Sequence, residues 1–178
     1  IENGVAVGAH PGFNDKANFG RTEMQLSVYE LYDLVAEQIT LMQDACKEMG
    51  ASLHHVKPHG ALYNMAAKNA TMSYIIARVI NELDPQLVLY GLSNSYMISE
   101  AEAMYIKTAS EVFADRTYNA KGQLTPRSEP NAMIHTTENA LAQVLKMIEH
   151  KTVIATDGSV VPLEAETICI HGDGDHAV

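Results

Sequence analysis

Five times along this chain, a short run of β-forming residues is followed at once by polar, chemistry-bearing side chains. The runs are Val5-Ala6-Val7-Gly8-Ala9, Leu53-His54-His55-Val56-Lys57, Leu87-Val88-Leu89-Tyr90, Ala109 to Ala114, and Thr167-Ile168-Cys169-Ile170. After them come His10; Lys57 and His59; Ser93 and Asn94; Asp115 and Arg116; His171 and Asp173. Stretches with helical spacing fill the intervals, and this alternation is the pattern of βα units around a parallel sheet. In open α/β sheets and βα barrels, the carboxyl ends of parallel strands share one face, where loops and helix N-termini build the site. The five polar groups are therefore expected to converge.

The helical stretches are legible in detail. Ser27-Val28-Tyr29-Glu30 forms a capping box and Gly50 ends the helix it opens. Val28, Leu31, Tyr32, Val35, Ile39, Met42, Cys46 and Met49 make its apolar stripe, with Asp33, Glu37, Gln38, Asp44 and Lys47 on the opposite face. Helical spacing returns from Asn64 to Leu83 and from about Asn94 to Met104. It returns again after Thr136 or Thr137, with Ala140, Leu141, Val144, Leu145 and Ile148 as the expected buried face. Asp157-Gly158 is a hairpin turn between Thr152–Thr156 and Val160–Leu163. The polar segment from Asp115 to Asn131 is long enough to be functional or mobile.

Composition narrows the function classes. A length of 178 residues suits one domain, and 47% apolar with 19% charged residues is the balance of a folded chain. Twelve Lys and Arg against 22 Asp and Glu leave a net charge of −10, which opposes general attraction to nucleic acid or anionic lipid. No apolar run approaches the ~20 residues of a membrane span, so a cytoplasmic protein is expected. Cys46 and Cys169 lack CxxC spacing, which argues against a disulfide framework or a thiolate zinc site and for packing roles. Ile1-Glu2-Asn3-Gly4 reads as the last turn of a helix, and the final strand stops soon after His171-Gly172-Asp173. Residues 1–178 are thus expected to be a single domain truncated at both ends.

Several chemistries lack their signatures. There is no GxxxxGK[ST], no GxGxxG after a strand and no GxSxG. Imidazoles and carboxylates at His10, His59, His171, Asp115 and Asp173 are chemically suited to zinc or manganese, although HxH or HxxxH spacing is absent and no metal ligand is assigned. A metal-dependent amidase or deacetylase acting on carbohydrate or other small amides is the alternative this leaves open.

Specific strings carry a resemblance. Gly4 to Phe13 with Phe19-Gly20-Arg21, Val56-Lys57-Pro58-His59-Gly60-Ala61-Leu62-Tyr63-Asn64, Glu111 to Arg116, Gly122 to Arg127 and His171-Gly172-Asp173 together resemble the LamB/YcsF family, in order and over essentially the whole chain. Departures are local: Phe13-Asn14-Asp15 where members commonly have Tyr-Pro before the aspartate, Thr22 in place of a second arginine, and Gly174-Asp175-His176 after the HGD string. The resemblance implies an α/β fold, a seven-stranded (β/α) barrel related to the glycoside hydrolase and polysaccharide deacetylase barrels. Family members also carry an amino-terminal segment and a final helix that this chain lacks, so the barrel is expected to be incomplete here. The implied activity is that of one component, the A subunit, of an ATP-dependent 5-oxoprolinase, which opens the lactam of 5-oxo-L-proline to L-glutamate with ATP and magnesium, alongside subunits B and C. Self-association is a further expectation, because strand edges left open can pair.

Residue chemistry at the matching positions assigns roles. His59, Asp115, His171 and Asp173 are the catalytic candidates, with His59, His171 or His10 as the base. Lys57, Arg116 and Arg127 are the candidate contacts to ATP phosphates. His10 and Asn64 are candidate substrate contacts.

Overall fold

A computed structural model describes residues 3–171. The expected helix turn at Ile1-Glu2-Asn3-Gly4 begins outside the described residues. Two compact units are distinguished, Ile1–Gly91 with Ser95–Ala109 and Leu92–Asn94 with Ser110–Val178.

In the first unit, β1 (Val7–Ala9), β2 (Leu53–Val56) and β3 (Val88–Leu92) form parallel pairs, with Ala9 opposite Val56 and Val56 opposite Leu89. Helix α1 (Val28–Glu48) opens on the expected capping box, in which the Ser27 side chain accepts from the Glu30 N–H and Glu30 accepts from the Ser27 N–H. Its buried side chains are Leu31, Leu34, Val35, Ile39 and Cys46. The apolar stripe is therefore shorter than its spacing suggested, since Val28 and Met49 at its ends are exposed. The helical stretch after β2 is two helices, α2 (Gly60–Ala67) and α3 (Ala70–Leu83). Asn69 makes the break, its side chain accepting from the Met72 N–H to cap α3. Helix α4 (Tyr96–Ala103) follows β3. Val35, Ile39, Val56, Leu62, Ile76, Ile80, Leu89 and Met97 are almost fully buried and form the core.

The second unit contains most of β4 (Thr108–Phe113), then α5 (Thr137–His150), β5 (Thr152–Ile154), β6 (Val160–Pro162) and β7 (Thr167–Cys169). β4 and β7 are parallel, with Val112 opposite Ile168, while β5 and β6 form the antiparallel hairpin announced by Asp157-Gly158. Within the first unit the Leu89 N–H donates to Lys107 O, and within the second the Ser93 N–H donates to Glu111 O. The main sheet accordingly runs β1-β2-β3-β4-β7. This order follows the chain without the reversal of a doubly wound sheet, so it has the connectivity of a (β/α) barrel. Five strands of the expected seven-stranded arrangement are found among the described residues.

One expectation is corrected here and another narrowed. The buried face of α5 is not Leu141, Leu145 and Ile148, which are 45–56% exposed; Met147 is the fully buried residue. Gln143, at the spacing that pairs with Met147, turns toward the end of β4, so the inward face is rotated by about one residue. The long segment after β4 is also held rather than loose. Tyr118 is buried, its hydroxyl accepts from the Phe113 N–H, and bridges pair Arg116 with Met133 and Tyr118 with Leu124.

Candidate functional site

In the first unit, the segments leaving β1 and β2 are zipped together. Lys57 N–H donates to Ala9 O at 2.9 Å and His59 N–H to Pro11 O at 2.8 Å. Gln38, expected on the solvent face of α1, instead grips Gly12: its Oε1 accepts the Gly12 N–H at 3.0 Å and its Nε2 donates to Gly12 O at 2.8 Å. His10 and His59 meet on this platform. His10 Nδ1 lies 2.6 Å from Lys57 O, His59 Nε2 lies 2.7 Å from Phe19 O, and His59 Nδ1 lies 2.9 Å from His10 Nε2. The two rings stand edge to face with centroids 4.7 Å apart, and the Phe19 ring approaches His59 in the same way at 5.1 Å. Burial pushes the His10 ring down to about 4, against the raising effect of its bond to Lys57 O; the charges of His59, Lys57 and His55 lower it further.

A glycine pair makes this packing possible. Gly60 has φ +57°, and a Cβ there would sit 2.5 Å from Gly20 O. That same carbonyl accepts the Ala61 N–H at 3.0 Å, capping α2, which has no side-chain cap of its own. The loop that reaches His59 is thereby fastened to the helix that follows it. Asn64 is exposed on α2 with its Nδ2 bonded to Gly60 O at 3.1 Å, and Lys57 is half-buried. On β2, His55 stacks on Tyr90 with centroids 4.3 Å apart, and burial lowers its pKa.

In the second unit, Asp115 and His171 form a tight pair between the ends of β4 and β7. Both carboxylate oxygens accept from His171 Nδ1, at 2.8 and 3.0 Å, and Oδ2 also accepts the His171 backbone N–H at 3.1 Å. The imidazole lies nearly parallel to the Phe113 ring, with centroids 5.6 Å apart. Burial pushes the Asp115 carboxyl up, but the His171 bonds and charge outweigh it and hold the group below the ordinary carboxylate value. Gln143 of α5 fixes the backbone on either side: its Nε2 donates to Phe113 O and to Arg116 O, both at 2.9 Å.

The remaining expected residues divide. Arg116 is 3% exposed, with Nε donating to Ala132 O at 3.2 Å and Nη2 to Thr125 O at 2.5 Å. Arg127 is exposed within the loop those bonds fold. Ser93 and Asn94 hold the end of β6 and the residues after it, Ser93 Oγ accepting the Glu164 N–H at 2.8 Å and Asn94 Nδ2 donating to Pro162 O at 2.9 Å. Asp173 lies outside the described residues. Among the described residues, no three His, Cys, Asp or Glu side chains gather to hold a metal ion, and no helix is long and apolar enough to cross a membrane.

The grip of Gln38 and Gln143 on the backbone is a finding that sequence reasoning missed. Gln143 had a detectable signal, being a polar residue in line with Ala140, Val144 and Met147.

A sequence profile of the LamB/YcsF family matches residues 1–178. The A subunit of the 5-oxoprolinase of Tolumonas auensis is 52% identical over 178 residues, covering all of this chain and 71% of that protein. Its counterpart of the same name in Staphylococcus carnosus is 49% identical over 177 residues, covering 99% of this chain and 70% of that protein. Among solved structures, a lactam utilization protein from Thermus thermophilus matches with a TM-score of 0.88 and 42% identity, covering 97% of this chain and 70% of that one.

Proposed function

The chain belongs to the LamB/YcsF family, and we propose on that premise that it is the A subunit of a 5-oxoprolinase, acting in the ATP-coupled opening of the lactam of 5-oxo-L-proline to L-glutamate. The names of relatives near 50% identity and of the solved neighbour support the cyclic-amide substrate. The observation that carries the chemistry is the Asp115–His171 pair.

Hydrolysis of an unstrained lactam needs a base for water and a proton for the departing nitrogen. Because Asp115 accepts from His171 Nδ1, the imidazole is held as the Nδ1–H tautomer and Nε2 is its basic atom. Nε2 takes a proton from water as the oxygen attacks the carbonyl carbon; the imidazolium, stabilised by Asp115, returns that proton to the ring nitrogen as the C–N bond breaks. Transfer of the ATP γ-phosphoryl group to the carbonyl oxygen, with ADP leaving, makes the carbon electrophilic enough for water to attack; C–N cleavage then leaves the new carboxyl as an acyl phosphate, and a second water releases inorganic phosphate and glutamate. Lys57 at the end of β2 and the exposed Arg127 are assigned to phosphate or carboxylate, which a guanidinium binds bidentately. Two guanidinium nitrogens of Arg116 are engaged with backbone carbonyls, so its assigned role is to shape the loop carrying Arg127. Asn64 presents its Oδ1 to a substrate N–H, its Nδ2 being tied to Gly60. Magnesium arrives with the nucleotide, subunits B and C complete the enzyme, and the cytoplasm supplies the ATP.

The test is glutamate formation from 5-oxoproline by the full-length protein with subunits B and C and Mg-ATP, omitting each component in turn. Glutamate should require this protein and ATP. His171→Ala should lower kcat on the order of 10²–10⁴-fold with KM little changed, the range expected when a general base is lost. Undiminished turnover by that variant would remove the assigned base, and no glutamate from a complete, folded mixture would remove the reaction.

A further inference from the structure

We infer that His10 and His59 share one proton beyond the single N–H that each neutral ring carries, held as the bond from His59 Nδ1–H to His10 Nε2, and that this proton fastens the Phe13–Arg21 loop to the ends of β1 and β2. The inference rests on hydrogen-bond geometry and is independent of the reaction proposed above.

A carbonyl oxygen can only accept. His10 Nδ1, 2.6 Å from Lys57 O, therefore carries a hydrogen, and so does His59 Nε2, 2.7 Å from Phe19 O. Those two hydrogens are all that two neutral imidazoles possess. His10 Nε2 and His59 Nδ1 would then face each other at 2.9 Å as bare lone pairs, which repel. A third proton converts that repulsion into a charge-assisted hydrogen bond. Three protons on four nitrogens make the pair a monocation.

Desolvation is the largest cause lowering the His10 pKa, to about 4, so in the bond between the rings His10 Nε2 is the acceptor and His59 Nδ1 the donor. Among the described residues, the charges acting on His10 are those of His59, Lys57 and His55, none of them negative. Lys57 and His55 come from β2, Arg21 from the loop lies 5.3 Å from the Phe19 ring centroid, and Gln38 from α1 is neutral. The loop carboxylate, Asp15, accepts from Asn18 Nδ2 and the Thr22 N–H. Directed bonds therefore hold the proton against neighbouring positive charge, and raising the pH removes it. Once it is lost, the lone pairs abut and the His59 bond that anchors Phe19 gives way. All four ring nitrogens are used internally in the closed state, so His59 acts as a positioning residue rather than as the base.

Nitrogen-15 NMR of the histidine-labelled full-length protein tests this without any turnover. At pH 6, His59 should be protonated at both nitrogens and His10 at Nδ1 alone. As the pH rises, the pair should lose one proton in a single step, with loss of amide protection across residues 13–21. His10→Phe should remove the second N–H of His59 at a pH where the wild type keeps it; His10→Leu serves if that variant does not fold. An Nε2–H tautomer at His10, single protonation of both rings at pH 6, or imidazole signals that change on chelator treatment because a metal ion bridges the rings would each overturn the inference.

Discussion

At the scale of single residues, the histidines after the strands divide by what their ring nitrogens touch. His171 is oriented by a carboxylate, which favours a basic Nε2, whereas His10 and His59 are tied to carbonyls and to each other. The sequence placed all three at strand ends but could not rank them, because tautomer and partner depend on atoms far apart in the chain. His10 also has a stability signature. Its folded pKa is lowered from 6.5 to about 4, so between those values the unfolded chain binds a proton that the folded ring refuses. Stability should therefore fall as the pH drops from about 6.5 toward 4, and level off below that for this group. Urea midpoints across the window should show the fall, and His10→Asn should flatten it; an unchanged slope would mean that His10 is not the group responsible.

At the scale of elements, two glutamines hold backbone in ways that their helical periodicity understated. Gln38 on α1 holds Gly12, and Gln143 on α5 holds the carbonyls flanking Asp115. Each lets a helix set the backbone from which a strand-end side chain projects. Gln143→Leu should leave those carbonyls without their donor and cost about 1–3 kcal/mol of stability, read from denaturant unfolding. In the assembled enzyme the variant should also lower kcat more than it raises KM, because Asp115 would lose its fixed backbone. A loss of stability with wild-type kcat would limit Gln143 to a structural role. The capping box at Ser27, the hairpin at Asp157-Gly158 and the strand runs were legible because each is encoded within a few residues. The α2–α3 break is equally local, made by the Asn69 cap inside one run of helical spacing, whereas the rotated face of α5 was decided by packing against the end of β4.

At the scale of the whole molecule, membership of a family whose relatives are named as subunits predicts an assembly. Full-length protein mixed with subunits B and C should elute together with them, earlier than any component alone. Separate elution under turnover conditions would mean that a diffusible intermediate passes between independent proteins. Local sequence was sufficient to determine the βα alternation, the caps and turns, the family strings and the placement of polar groups after strands, since each depends on neighbouring residues or helical and strand periods. Tertiary structure alone decided that Asp115 meets His171 across 56 positions, that His10 meets His59 across 49, and that Arg116 donates to Ala132 O and Thr125 O. Those pairings follow from strand register and helix rotation, which only the packed core sets.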